Sequence, residues 1–353
     1  MAEKICKIIT IVLISGMLFY MFAELVSQVP SADELVFIRI TENLPNYYSH
    51  VGWFSLDGKT DPNTYLKPDS YYAKYYNVPF WGEPPLDSYL TYPIVKFGFN
   101  DSNVPWIRAG MIRLRAIAWI MMASCILGII YLIWKKSKSW KVLLISCLPL
   151  LGSIPFFIRW TGQNWWFYDT FMISFLVMAL LMRKTKYKKY IYIPLTLMVA
   201  SKIIGVFFLI PFIIENKKTA LCSLAIVPFF AQSYFVTHDW VYLLSYWTGA
   251  GVRVSMGQVS FFSARISNGL ESIRAAILLV ILTLPPFILL LWDGIKKHIF
   301  LILLFGISLL YGIFWAFAYY HMISMELIGM LMIGEIALNT KFKFNANPSS
   351  WAR

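Results

Sequence analysis

Charge is scarce in this sequence. Of its 353 residues only 14% are charged, 18 acidic against 31 basic, while 59% are aliphatic, aromatic or cysteine and mean hydropathy is +0.63. A soluble domain needs a far more polar surface, so that class is excluded. Cysteine is scarce too: Cys6, Cys125, Cys147 and Cys222 all fall inside or at the ends of apolar runs. None lies in a long polar loop, so no disulfide framework is implied, and their spacing is not that of metal ligands. There is no Gly-rich phosphate loop and no alternation of strand and helix patterns, the usual sequence marks of a nucleotide site. Internal repeats and low-complexity tracts are also missing.

What is present is a series of apolar windows of about 20 residues, each long enough to cross a ~30 Å hydrocarbon core. The net charge of +13 is distributed as short clusters between them, "KKSKSWK" at 135–141, "RKTKYKK" at 183–189, "NKK" at 216–218 and "KK" at 296–297. Short basic loops mark the cytoplasmic side of a membrane protein and meet anionic headgroups there, which accounts for the basicity without nucleic acid. The sequence therefore predicts an all-α polytopic membrane protein of about ten transmembrane segments.

Lys4 and Lys7 place the N-terminus inside, ahead of a first span at 5–27. That segment also resembles a signal peptide, but its apolar run is nearly long enough to span, and it is read as retained. A first extracytoplasmic loop follows at 28–108, then spans near 109–134, 142–158 and up to Arg183. The piece 190–214 has lysines on both sides and is predicted to be a hairpin of two short helices, bent near Lys202 and Gly205. Spans near 219–236, 273–292, 299–318 and 321–338 follow, with a second extracytoplasmic loop at 237–272. Residues 1–338 thus form one integral membrane domain and 339–353 a cytoplasmic tail. The outer regions carry arginine rather than lysine, Arg39, Arg108, Arg113, Arg115, Arg159, Arg253, Arg265 and Arg274. Guanidinium groups suit bidentate phosphate recognition and equally suit headgroup contact at helix ends.

Two acids, Asp33 and Glu34, stand just beyond the first span in "SADELVF". Ser31 and Glu34 fit a capping box, and Asp33 lies in the first turn of an amphipathic helix predicted over 31–44, where the helix dipole favours an anion. Local physics leaves two roles open, helix start or acid–base chemistry at the membrane surface. The adjacent prolines Pro84 and Pro85 break the chain, and a second short interfacial helix is predicted from about Leu86. The tyrosines at 71, 72, 75 and 76 suit an interfacial belt or a sugar-stacking platform.

Several fragments stand in a telling order: "DELVF" at 33–37, "PPLDSYL" at 84–90, "IRL" at 112–114, Asp169 in "FYDTFMISFLVMAL", and Lys202 in "VASKIIGVFFLIP". The series resembles the GT-C membrane glycosyltransferases, in particular the branch of protein O-mannosyltransferases and lipid A aminoarabinose transferases. That branch shows D-E-x-x-[YF], then P-P-L-x-x-[YW]-L, an ARL element opening the second span, a buried aspartate opening the fourth, and a lysine in the hairpin region. The resemblance covers about residues 1–215. Beyond it, "FAYYHMISMELIGML" at 317–331 is loosely similar to the family's last span, where a polar or basic residue meets the donor. Two positions depart from the pattern: Glu83 stands where lysine or histidine often precedes the prolines, and Val36 where some members carry arginine.

The resemblance implies an inverting glycosyltransferase on the extracytoplasmic face of the cell membrane, using a polyprenyl-phosphate-linked sugar as donor. The acceptor is a hydroxyl on a lipid, glycan or protein. It makes Asp33 the general base, and gives as substrate-contacting candidates Glu34, Glu83, Arg113, Arg159, Asp169, Lys202 and His321. Each has a plainer alternative. Asp169 also fits a buried ion pair with Arg113 or Arg159, Lys202 a lysine snorkelling to an interface, and His321 with Glu326 ordinary packing at the last span. No cofactor is expected, and a divalent metal stays open. Two other classes remain: a polytopic transporter or lipid flippase, and a non-catalytic relative of the same superfamily.

Overall fold

The computed structural model describes residues 2–27, 41, 86–98, 104–153, 167–228, 230–231, 277–314 and 323–339. Among the described residues the ordered structure is entirely helical, with no strand. The chain folds into α1 (Ala2–Ser27), α2 (Leu86–Gly98), α3 (Val104–Ser137) and α4 (Trp140–Ser146), which passes into a 3-10 turn at Leu148–Ser153. α5 (Phe167–Arg183) follows, then α6 (Tyr192–Ser201), α7 (Gly205–Phe208), α8 (Ile210–Glu215) and a 3-10 segment at Lys217–Ile226. α9 (Ile277–Phe314) and α10 (Ile323–Asn339) complete it.

Among the described residues three helical stretches are long and apolar enough to cross a membrane, Ala2–Ala23, Ile112–Ser137 and Ile277–Gly312. Their outward faces are apolar as well. On α1, Ile8, Val12 and Phe19 are exposed while Met17 and Met21 are buried, the reverse of a soluble amphipathic helix. This is a membrane protein. The remaining apolar helices are shorter, among them Trp140–Gly152, Tyr192–Ser201 and Gly205–Glu215. The predicted spans at 273–292 and 299–318 fall on α9, which is two helices joined across a break at Gly294, whose φ of +129° strongly favours glycine. At that break Asp293 accepts hydrogen bonds from Lys297 (2.7 Å) and pairs with His298 (2.8 Å).

Contacts fix the helix directions. Trp119 donates its indole N–H to the Leu18 carbonyl at 2.9 Å, while Glu3 accepts from Ser139 and the Trp140 amide, so α1 and α3 run antiparallel. Cys125 meets Ser174, and Gly128 faces Val177 and Leu181, so α3 and α5 run parallel. Lys136 pairs with Glu335 of α10, and Arg183 at the end of α5 pairs with Glu215 of α8 and stacks on Phe300. These pairings gather the basic ends of α1, α3, α5 and α8 at one end of the bundle.

The segment 190–214 does turn back on itself. α6 ends at Lys202, whose backbone is extended (φ −153°, ψ 137°), and α7 and α8 return the chain until Asn216 donates to the Tyr192 hydroxyl at 2.8 Å. The return requires glycine at 205, because a Cβ there would stand 2.6 Å from the Met198 carbonyl oxygen. Gly205→Ala is expected to lower stability by about 1–3 kcal/mol through forced backbone displacement. Thermal unfolding in detergent, against an unaltered Gly306→Ala control with open space at its Cβ, checks this.

A buried ion pair in the helical bundle as the candidate functional site

The break after α6 places Lys202 against the start of α5. Its Nζ lies 2.6 Å from Asp169 Oδ1, with side-chain exposures of 3% and 0%. From α9, Tyr311 donates its hydroxyl to the same carboxylate oxygen at 2.8 Å and is 2% exposed. Lys202 Nζ also stands 5.9 Å from the centre of the Tyr311 ring, whose edge meets Phe208 of α7. Residues 169, 202 and 311 are thus drawn together from three separate stretches.

Each helix suits the charge at its end. Asp169 lies in the first turn of α5, where exposed N–H dipoles favour an anion. Lys202 follows the last turn of α6, where carbonyl dipoles favour a cation. Counting from the basic end, Asp169 lies about 21 Å along α5 from Arg183, and Lys202 about 15 Å from Tyr192 along α6. Against a hydrocarbon core of about 30 Å, the pair sits at mid-depth or slightly beyond. Beside it Thr170 is fully buried, and its Oγ1 has no hydrogen-bond partner among the described residues.

α3 carries two arginines with opposite outlooks. Arg113 is exposed and shares its helical face with Ile120, Leu127 and Tyr131, all about half exposed. Arg115 is 4% exposed and shares its face with Met122, Ile126, Ile129 and Ile133, all buried. The "IRL" arginine therefore lies on the outward stripe, and the arginine two residues later faces the interior. Because Cys125 is level with Ser174, Asp169 is level with about residue 120. Arg115 then lies about 7 Å farther from the basic end.

The sequence put Asp169 with Arg113 or Arg159. The structure gives it Lys202 and Tyr311, with Arg113 turned outward and Arg159 outside the described residues. Asp33, Glu34, Glu83 and His321 also lie outside the described residues. Glu326 is buried at the start of α10. Sequence reasoning missed Tyr311, which sits in an apolar run with no motif around it. It named Arg115 only among the outer arginines, although the spacing of 115 to 122, 126, 129 and 133 is that of one helical face. Among the described residues no three His, Cys, Asp or Glu side chains gather as a metal site would require.

No protein-family model, curated protein or solved structure matches the chain.

Removing one partner of a buried ion pair leaves an uncompensated charge and costs about 3–5 kcal/mol. Lys202→Met is expected to fall in that range, and adding Asp169→Asn to it to recover part of the loss. Denaturant unfolding of the single and double variants in detergent measures the coupling. Strictly additive losses would show that the two charges do not depend on each other.

Proposed function

We propose that the protein is a multi-pass cell-membrane glycosyltransferase of GT-C type, moving a sugar from a polyprenyl-phosphate donor to an acceptor hydroxyl on the extracytoplasmic face. One observation carries this reading. Asp169 and Lys202, two positions of the motif series, are 33 residues apart in sequence and meet at 2.6 Å in the bundle interior. Ionisable side chains at membrane depth are expensive unless paired, and a fold that keeps them there usually employs them.

In the proposed reaction an acceptor hydroxyl attacks the anomeric carbon, the bond from that carbon to the lipid phosphate breaks, and configuration inverts. Asp33 takes the hydroxyl proton. Cationic side chains, Lys202 foremost, stabilise the phosphate as it gains charge, and such a leaving group needs no strong general acid. Asp169 holds Lys202 in place, while Tyr311 steadies the carboxylate. Glu34 with Ser31 builds the helix start that carries Asp33. Glu83, Arg159 and His321 belong to the proposed donor and acceptor contacts. The basic end of the bundle is cytoplasmic, which puts the opposite end, with Arg115, at the active face.

A second reading has a specific observation behind it. The chain breaks at 202–204, beside a mid-depth ion pair, and transporters place their sites at such broken helices.

The test is protein in nanodiscs given radiolabelled polyprenyl-phosphate hexoses and a hydroxyl-bearing acceptor mixture. Transfer is expected, with Asp33→Asn lowering it by about 100-fold or more at unchanged unfolding temperature. Full activity in Asp33→Asn removes that residue as the base. Solute uptake into proteoliposomes, with no donor consumed, replaces the glycosyltransferase reading by the transporter one.

A further inference from the structure

Helix α2 is built inside out. Asp87, Thr91 and Val95, spaced at four residues, are all buried, at 3%, 2% and 0% exposure. Tyr89, Leu90 and Pro93, on the other faces, are exposed. A helix whose polar face covered a dry apolar bundle would have this pattern reversed. Only the far end of the buried face, Val95, joins the hydrophobic core. Thr91 returns its hydroxyl to the Asp87 carbonyl at 2.8 Å, within the helix.

What α2 covers gives this polar face its meaning. It packs on α3, α5 and α6. These are the helices that carry Arg115, Asp169 and Lys202. Two interior levels result: Lys202, Asp169, Tyr311 and Thr170 at mid-depth, and Arg115 about 7 Å beyond them toward the far end. Thr170 adds a buried hydroxyl with no hydrogen-bond partner among the described residues. An unmade hydrogen bond in such a place costs about as much as several ordinary ones contribute, so a polar occupant is favoured beside it.

The geometry points to Asp87 as a sugar-binding residue of this site, accepting hydrogen bonds from ring hydroxyls of the donor beneath α2. This rests on the glycosyltransferase reading. The division of labour follows from charge. A carboxylate repels phosphate and accepts hydrogen bonds only, so it suits hydroxyls, whereas Lys202 and Arg115 donate and suit the phosphate. Asp87 is therefore the residue that reads which hydroxyls the sugar presents. Tyr89 and Leu90, facing outward, hold α2 at the interface while the other face meets the substrate.

The experiment uses full-length protein in nanodiscs and polyprenyl-phosphate glucose, mannose and galactose, each with its monodeoxy series. For the hexose that turns over, Asp87→Asn is expected to raise donor KM by about tenfold to a hundredfold, with kcat within about twofold. One monodeoxy donor should show the same KM penalty on the wild-type protein and no further penalty on Asp87→Asn. Independent penalties that multiply, or an unchanged KM in Asp87→Asn, overturn the role of Asp87 while leaving the transferase reading in place. If the wild-type protein consumes none of these donors or any other polyprenyl-phosphate sugar, both fall together. A variant with lowered unfolding temperature is judged beside Asp87→Glu. Restored stability without restored donor KM or deoxy response assigns Asp87 to packing and also overturns the proposal.

Discussion

The fold turns on one carboxylate oxygen. Asp169 Oδ1 receives both the Lys202 ammonium and the Tyr311 hydroxyl, and both donors are buried. In a medium of low dielectric each of these groups is more costly alone than together. The carboxylate therefore settles where α6 must end, how far α5 extends toward it, and which face of the second half of α9 turns inward. Hydrophobic packing by itself is permissive, since apolar side chains tolerate many registers. A charge pair at this depth tolerates one, and that makes it a determinant of register as much as a candidate for chemistry.

Around this point the bundle economises on length. Among the described residues three helical stretches are long enough to cross a bilayer unaided, and α6, α7 and α8 are short pieces separated by turns. Short helices expose backbone carbonyls and amides at their ends, a liability in hydrocarbon. Here the ends are met by side chains: Glu3 caps the start of α4, Asn216 accepts from the Lys218 amide at 3.2 Å, and the charges at 169 and 202 face the ends of α5 and α6. The polar residues of this chain are few, and many of them stand where a helix begins, ends or breaks.

How much was legible beforehand depends on the range of the signal. The all-helical membrane class follows from composition, because no arrangement of so few charges covers a soluble surface. The turn at Lys202 and Gly205 was readable from flanking lysines, which cannot stand on opposite sides of a short apolar stretch without placing one cluster against the usual asymmetry. The break at Gly294 was placed only approximately, as a boundary between two spans, since glycine alone does not announce a positive φ. That Lys202 and Tyr311 meet Asp169 was not legible, because local sequence ranks arginine and lysine alike as counter-ions and does not say which helix lies beside which. Tyr311, 142 residues from Asp169, carries no local pattern at all, and only the packing of α9 supplies it. Arg113 stood out by motif, while the periodicity that sets Arg115 on a buried face went unused; the structure turns Arg115 inward.

Those two arginines have a mechanical consequence for α3. Set two residues apart, they point roughly 200° from one another around the helix axis, one toward the surroundings and one toward the interior. Turning the helix about its own axis in either direction carries the Arg115 guanidinium toward hydrocarbon and drags Arg113 into the packed bundle. The helix is keyed like a shaft in a slot. Any movement that opens or closes the interior must reach it as a tilt or a slide along its length.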